Sequence, residues 1–122
     1  GCEIAPGAVV ERSVLSPGVL VREGAVIREA VILTDCVIDR EAVIEHAILD
    51  KKVCVAEKVH IGAIRAGFEP VITMVGKNVR TPGGLVIEPG AVIGSDVIES
   101  DFPSQLVRGN DYIQTKRLPY EI

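Results

Sequence analysis

Residues 25–49 read AVIREAVILTDCVIDREAVIEHAIL, and one short pattern recurs five times within them. Each unit places a small residue, an aliphatic residue and a large aliphatic residue in a row. The large residues are Ile27, Ile32, Ile38, Ile44 and Leu49. Successive side chains of a strand point to opposite faces, so the first and third residues of each unit share one face. The pattern therefore predicts short strands that each bury two side chains.

The same period extends over residues 1–98 and predicts stacked coils. Steps between the large residues are mostly six positions, but one step in three is five, so three strands and three corners close a coil of about 17 residues. Residues one coil apart then lie above one another in three ladders. The ladders are Leu15, Ile32, Leu49, Val75 and Ile93; Ile4, Val21, Ile38, Val55 and Thr81; and Val10, Ile27, Ile44, Ile61 and Ile87. We expect an all-β fold, a parallel β-helix of about five coils.

Two segments depart from this period. The step from Ile61 to Val75 falls at the corner that is short elsewhere, so residues 62–72 are predicted to form an inserted loop. Residues 99–122 break the period and are predicted to cover the open end of the last coil as a capping tail. The array resembles the hexapeptide-repeat proteins, whose β-helices are left-handed, and the resemblance implies left-handed winding here.

Composition narrows the functions that this chain can have. A formal net charge of −4 argues against nucleic acid or an anionic membrane as a general partner, because both need a basic excess on one face. No apolar run is long enough to span a bilayer, and residues 1–15 lack the features of a signal peptide, so we expect a cytoplasmic protein. Cys2, Cys36 and Cys54 lack metal-site spacing and are expected to be free thiols, so no metal site is predicted.

Three stretches carry a more specific resemblance. Residues 13–19 read SVLSPGV, residues 47–51 read AILDK, and residues 72–79 read ITMVGKNV. In order and spacing they resemble the C-terminal domain of glucose-1-phosphate adenylyltransferase, also called ADP-glucose pyrophosphorylase. The resemblance covers roughly residues 1–98.

In that family a separate N-terminal domain joins ATP and glucose 1-phosphate into ADP-glucose, with Mg²⁺, for glycogen or starch synthesis. The β-helix domain assembles the tetramer and forms part of the allosteric effector site. The resemblance implies these two roles here, in a homo-oligomer that contacts its own catalytic domain and a phosphorylated small-molecule effector. Gly83 and Gly84 lie at a coil corner and form no nucleotide loop. We expect no catalytic residue, cofactor or ADP-glucose synthesis in this chain alone, with Mg²⁺ and ATP bound by the catalytic domain.

Two lysines are the candidate effector contacts. Lys51 and Lys77 follow stacked ladder residues, so their backbones are predicted to lie about 4.8 Å apart. Two such ammonium groups repel by about 1 kcal/mol in water, and a bound anion offsets this repulsion. The resemblance implies effector-contacting lysines at these positions, with Asp50 beside them. The alternative is that both side chains extend into solvent. Lys52 replaces the usual Asn of the family, and lysine accepts positive φ less readily.

A row of outward-pointing apolar residues is the candidate interface. The residues immediately before the first ladder are Val14, Val31, Ile48, Met74 and Val92. A fully solvated face would carry polar residues, so this row is expected to be buried against the catalytic domain or a second subunit. The alternative is a strand preference for β-branched residues with partial exposure.

The two histidines leave another function open. Trimeric hexapeptide acyltransferases use an outward histidine as general base, and His46 and His60 are the candidates here. The alternative is that both are ordinary surface residues. An acyltransferase or a non-catalytic scaffold is therefore the alternative function. The related carbonic anhydrases bind metal with three histidines, a site that these two residues cannot form.

Overall fold

The structure, a computed structural model, describes residues 1–62 and 71–121. Its strands are β1 (Glu3–Ile4), β2 (Val9–Glu11), β3 (Val14–Leu15), β4 (Leu20–Val21), β5 (Val26–Arg28), β6 (Val31–Ile32), β7 (Val37–Ile38), β8 (Val43–Glu45), β9 (Ala47–Leu49), β10 (Cys54–Val55), β11 (His60–Ile61), β12 (Thr73–Val75), β13 (Val86–Ile87), β14 (Val92–Ile93), β15 (Leu106–Val107) and β16 (Tyr112–Ile113). Two short 3-10 helices span Glu99–Asp101 and Pro119–Glu121.

The strands form three parallel sheets, one for each predicted ladder. Sheet A has the order β1-β4-β7-β10, sheet B the order β15-β13-β11-β8-β5-β2, and sheet C the order β16-β14-β12-β9-β6-β3. Strands β1 to β9 each pair with the strand three places further along the chain, and β11 to β14 each pair with the strand two places further, so the backbone winds into a solenoid of stacked coils. The predicted parallel β-helix is confirmed, and the architecture is consistent with left-handed winding.

The observed register matches the predicted ladders. Leu15 pairs with Ile32, and Ile38 pairs with Val55, each one coil apart. In the middle coils the inward residues are almost wholly inaccessible to solvent, and all are aliphatic except Cys36, Thr73 and Thr81. Thr81 is the polar member of its ladder and is 4% exposed, but its Oγ1 accepts the backbone N–H of Ala56 at 3.0 Å. The interior therefore tolerates this hydroxyl because it is hydrogen-bonded.

Positive φ angles turn the chain at the corner between sheets C and A. Asp35, Lys52 and Asn78 hold this position in three consecutive coils, with φ of 62°, 60° and 63°. The N–H of Lys52 donates to the carbonyl of Thr34 at 2.9 Å, so each corner is tied to its neighbour. Lys52 thus adopts the left-handed conformation despite its Cβ, and the corner stays regular.

The C-terminal segment differs from its prediction. Residues 99–122 were expected to lie outside the coils, but β15 pairs with β13 and β16 pairs with β14, which adds a sixth coil. Val107 and Ile113 point inward and are 1% and 9% exposed. The helix Glu99–Asp101 adds residues to the connection between β14 and β15. Strands β15 and β16 therefore fall outside the 17-residue period, although their residues still alternate between inward and outward positions.

The inserted loop predicted for residues 62–72 falls mostly on residues 63–70, which lie outside the described residues. On either side of them the coil register is intact. The N–H of Gly62 donates to the carbonyl of Ile87 at 2.8 Å, and β12 begins at Thr73 in register with Ala47.

Candidate functional site

The structure places Lys51 and Lys77 at equivalent corners of neighbouring coils. Leu49 pairs with Val75 in sheet C, and the N–H of Asn78 donates to the carbonyl of Lys51 at 2.9 Å, which fixes the corners above one another. Both lysines are exposed, and neither forms an ion pair with a described residue. The two ammonium groups therefore remain available to a ligand.

The carboxylate of Asp50 has a structural role at the corner where it lies. Its Oδ1 accepts the backbone N–H of Lys51 at 2.7 Å, and its carbonyl accepts the thiol of Cys36 at 3.0 Å. Asp39 caps the N–H of Arg40 in the same way, at 2.7 Å, on another corner. An aspartate that caps the next N–H is a common turn device. Asp50 thus fixes the backbone that carries Lys51, and this geometry does not require it to touch a ligand.

Gly76 takes the place of Asp50 in the next coil. A Cβ at this position would lie 2.6 Å from the backbone nitrogen of Ser95, so the close approach of the following coil requires glycine. Without a capping side chain, the N–H of Lys77 has no hydrogen-bond acceptor among the described residues. The corner at Lys77 therefore offers a backbone donor beside its ammonium group.

The outward residues of sheet C form one row of six, which we call the apolar face. It consists of Val14, Val31, Ile48, Met74, Val92 and Tyr112, paired in register through all six coils. Val14, Met74 and Tyr112 are 60%, 50% and 58% exposed. Tyr112 was missed from the sequence because it lies in the segment taken as a tail. Its neighbour Ile113, which continues the inward alternation, is the signal that would have found it.

The other two sheets present charged or histidine side chains among their outward residues. Sheet A carries Glu3 at its first coil, and Arg80 bridges to Cys54 at the other end. Sheet B carries His60, and an ion pair of 3.6 Å joins Arg28 to Glu11 along its border. Among the described strands, the outward row of sheet C alone has no charged or histidine side chain. This contrast favours the apolar face as an interface.

The two histidines lie on different elements, as predicted. His46 is at the tight corner between sheets B and C, with its Nδ1 3.2 Å from Oε2 of Glu29. Glu29 also pairs with Arg12 at 3.0 Å. His60 is exposed on sheet B. In residues 1–62 and 71–121 there is no cluster of three or more His, Cys, Asp or Glu side chains that could hold a metal ion.

All three cysteines are free thiols, as predicted. Cys2 and Cys54 are exposed, whereas Cys36 is buried inside the coil. Burial raises the pKa of the Cys36 thiol to about 11, because the thiolate loses its hydration. Within the described part of the chain, no helix has the length and apolar character needed to cross a membrane.

Comparison with known protein families identifies the repeat. The model of the family described as "GlmU-like, C-terminal hexapeptide" matches residues 1–67, which is more than half of the 122 residues. The chain belongs to the GlmU-like C-terminal hexapeptide family. A search of curated proteins found no match to this chain.

Several solved structures are similar to this hexapeptide chain. The acetyltransferase domain of PglB from Neisseria gonorrhoeae is 17% identical, with a TM-score of 0.42, over 91% of this chain and 53% of that chain. Its complex with acetyl coenzyme A gives 13% identity and a TM-score of 0.49, over 93% and 51%. PerB from Caulobacter crescentus, in complex with CoA and GDP-perosamine, is 22% identical, with a TM-score of 0.36, over 93% and 58%. The chain thus spans between 51% and 58% of these structures.

Proposed function

We propose that this chain is the oligomerisation and allosteric domain of a longer sugar-nucleotide pyrophosphorylase that makes ADP-glucose from ATP and glucose 1-phosphate. The observation that carries the proposal is the stacking of Lys51 and Lys77 at neighbouring corners that border the apolar face. The motifs AILDK and ITMVGKNV, which contain these lysines, are the stretches that resemble the pyrophosphorylase family.

The lysine pair suits a phosphate-bearing effector for electrostatic reasons. Two ammonium groups at stacked corners repel each other, so the free energy of the pair falls when an anion binds between them. They offer six N–H donors, and the uncapped backbone N–H of Lys77 adds a seventh at the same corner. Charge-assisted hydrogen bonds to phosphate are about twice as strong as neutral ones. Asp50 acts indirectly, by holding the backbone of Lys51.

Catalysis in this proposal belongs to a separate domain, which binds Mg²⁺ and ATP. The chain itself, purified and incubated with ATP, glucose 1-phosphate and Mg²⁺, is expected to release no pyrophosphate above a blank. Measurable turnover would contradict this division of roles.

The effector site is tested in the full-length enzyme with Lys51→Ala and Lys77→Ala. Each substitution should weaken the response to effector about 5-fold to 150-fold, the usual range of allosteric coupling, because half of the positive charge is lost. Unstimulated turnover should stay near the wild-type rate, since neither lysine contacts the reacting phosphates. Lys58→Ala, at an exposed corner elsewhere, is the matched control and should respond normally. An unchanged effector response in both variants would refute the site.

A second candidate is a hexapeptide acyltransferase, which the contact between His46 and Glu29 favours. A carboxylate that holds Nδ1 orients the imidazole and leaves Nε2 to take a proton from an acceptor amine or hydroxyl. Membership of the hexapeptide family and the acetyltransferases among the similar structures support this candidate.

Acyl transfer from acetyl coenzyme A discriminates between the two candidates. Transfer that is lost in His46→Ala but kept in His60→Ala would favour the acyltransferase. Absence of transfer to amino-sugar nucleotides, together with an effector response that depends on Lys51, would favour the pyrophosphorylase.

A further inference from the structure

The two ends of the solenoid differ in how well their core is covered. At the C-terminal end the inward residues Val107 and Ile113 are buried, and the segment after β16 is tied down by the carboxylate of Asp101. At the N-terminal end Ile4, an inward residue of the first coil, is 50% exposed, whereas Val21, which pairs with it in the second coil, is 2% exposed. Core side chains at the N-terminal end therefore remain open to solvent.

The backbone at the N-terminal end is open as well. Strands β1, β2 and β3 are the edge strands of their sheets, so among the described strands each has a neighbour on one side only. The N–H groups of Glu3 and Ala5, on either side of Ile4, donate to the second coil at 3.0 and 2.8 Å. The N–H of Ile4 points the opposite way, out of the end, because consecutive N–H groups of a strand alternate in direction. Open strand edges of this kind readily accept another strand.

A further hexapeptide coil fits all three edges at once. The edges lie on three sides of the first coil, and each is a strand of two or three residues. A single extended peptide would cover one edge and leave the other two open. A coil of about 17 residues turns at the same corners and places an aliphatic side chain over each of Ile4, Val10 and Leu15.

The size of the end favours a coil of the same polypeptide over a separate molecule. A triangle whose perimeter is 17 residues, at about 3.3 Å per residue, encloses a cross-section of roughly 150 Å². A standard protein interface buries about 800 Å² on each partner, so a separate molecule would bind this end weakly. A coil that belongs to the same chain is held beside the end at high effective concentration and can stack on this small area.

Gly1 lies where such a coil would join the first one. Its carbonyl accepts the N–H of Gly18 at 3.3 Å, at the corner between sheets C and A. The chain runs along sheet C before it reaches each of these corners, so a segment that leads into Gly1 passes over β3. We propose that the open end is covered by a further hexapeptide coil, formed by the segment that precedes Gly1 in the longer polypeptide. The inference rests on the proposed function only because it requires that longer polypeptide.

The period predicts which residues this segment contains. The position 17 residues before Leu15 lies three residues before Gly1, and it should be a large aliphatic residue because it stacks on Leu15. The position 17 residues before Ser13 should be small, as Ala30 and Ala47 are in the following coils. A charged residue at the first of these positions would contradict the proposal, because an unpaired charge is costly to bury.

Amide hydrogen exchange in the full-length protein and in this chain tests the inference. In this chain the amides of Ile4, Val10 and Leu15 should exchange rapidly, since they point out of the open end. In the full-length protein they should exchange about 100-fold more slowly, at any protein concentration, because the covering coil must open first. Rapid exchange at these amides in the full-length protein would refute the covering coil. Protection that appears in this chain and grows with concentration would identify a second copy as the cover, and would refute it too.

Ile4→Asp in the full-length protein is a second test, with Glu3→Gln as the matched control on the outward side of the same strand. The new carboxylate would face the covering coil, so the slow exchange at Val10 and Leu15 should be lost. The amide of Ile27, in the second coil, should stay protected in both variants. The control should exchange like the wild type, and equal exchange at Val10 and Leu15 in the two variants would argue against the coil.

The effector response separates this inference from the proposed function. An unprotected N-terminal end, in a full-length protein whose effector response depends on Lys51, would overturn the covering coil and leave the proposed function standing. A protected end, in a protein that shows no effector response, would support the covering coil and contradict the proposed function.

Discussion

Replacing Asp101 by Asn tests how the sixth coil is held in place. The Asp101 side chain is almost fully buried, and its Oδ2 accepts the N–H of Ile98 while its Oδ1 accepts the N–H of Lys116, both at 3.0 Å. An asparagine has only one oxygen, so one buried N–H would face an NH₂ group. Losing that bond and leaving the donor unsatisfied should cost about 1–3 kcal/mol of local stability. Asp101→Ala should lower the local stability further, because it removes both hydrogen bonds. The upper limit of this loss is the free energy of local unfolding of residues 114–121.

The same site makes this stability depend on pH. Burial alone would raise the pKa of Asp101, but the N–H groups of Ile98 and Lys116, the Thr115 hydroxyl and the charge on Arg117 outweigh it, so the pKa is lowered from 3.8. A lowered carboxyl pKa contributes stability that is complete above 3.8 and is lost as the pH falls through the folded-state value. The difference in stability between the wild type and Asp101→Asn should therefore shrink below pH 3.8.

Amide hydrogen exchange at Lys116 and the thermal unfolding midpoint measure the effect. Asp111→Asn is the matched control, because its Oδ2 also caps a backbone N–H, that of Arg108 at 2.9 Å, but at an exposed position. Asp101→Asn should speed exchange at Lys116 by about tenfold or more, whereas the control should change it little. Equal behaviour of the two variants would refute the role assigned to the buried carboxylate.

Three further substitutions or modifications test other parts of the molecule. Gly76→Ala should lower the unfolding temperature, since its methyl group would lie 2.6 Å from a backbone nitrogen of the next coil; an unchanged temperature would contradict that close approach. Val31→Asp with Ile48→Asp should dissociate the proposed oligomer, measured by light scattering, because unpaired charges are costly to bury. Cys54 should react with iodoacetamide in the folded chain while Cys36 reacts only on unfolding, and equal rates would contradict the burial of Cys36.

The coils were predictable because their signal repeats. In the stretch from Ala25 to Leu49 every strand has the same small and large aliphatic positions. An ambiguous assignment of one strand is therefore resolved by the pattern of its neighbours. The sixth coil lacked this support. Its strands at Leu106 and Tyr112 follow a 3-10 turn whose length no repeat predicts. Of the two N–H groups that Asp101 accepts, that of Ile98 is local, but that of Lys116 is distant in the sequence and leaves no local pattern.

The candidate site could be predicted only in part, because one of its predicted residues has a role in the local backbone structure. Asp50 was predicted as an effector contact, and the structure gives its carboxylate a capping role, which sequence spacing alone does not reveal. The lysines of the site were placed correctly at stacked corners, because their position depends on the register of the ladders. Their ligand stays a prediction.

The fold does not require a charged residue at the positions of Lys51 and Lys77. Equivalent corner positions along sheet C are occupied by Pro17, Thr34, Lys51, Lys77, Ser95 and Thr115. The corner carbonyls of this column accept N–H groups of adjacent coils, as those of Lys51 and Lys77 do at 2.9 and 2.8 Å, and such bonds involve no side chain. Since proline, threonine and serine also occupy this column, the coil does not require lysine there, and the mutual repulsion of two adjacent ammonium groups slightly opposes folding. Ligand binding would explain a lysine pair that the fold does not require and that slightly opposes folding. The two lysine corners are therefore the first place to look for a bound anion.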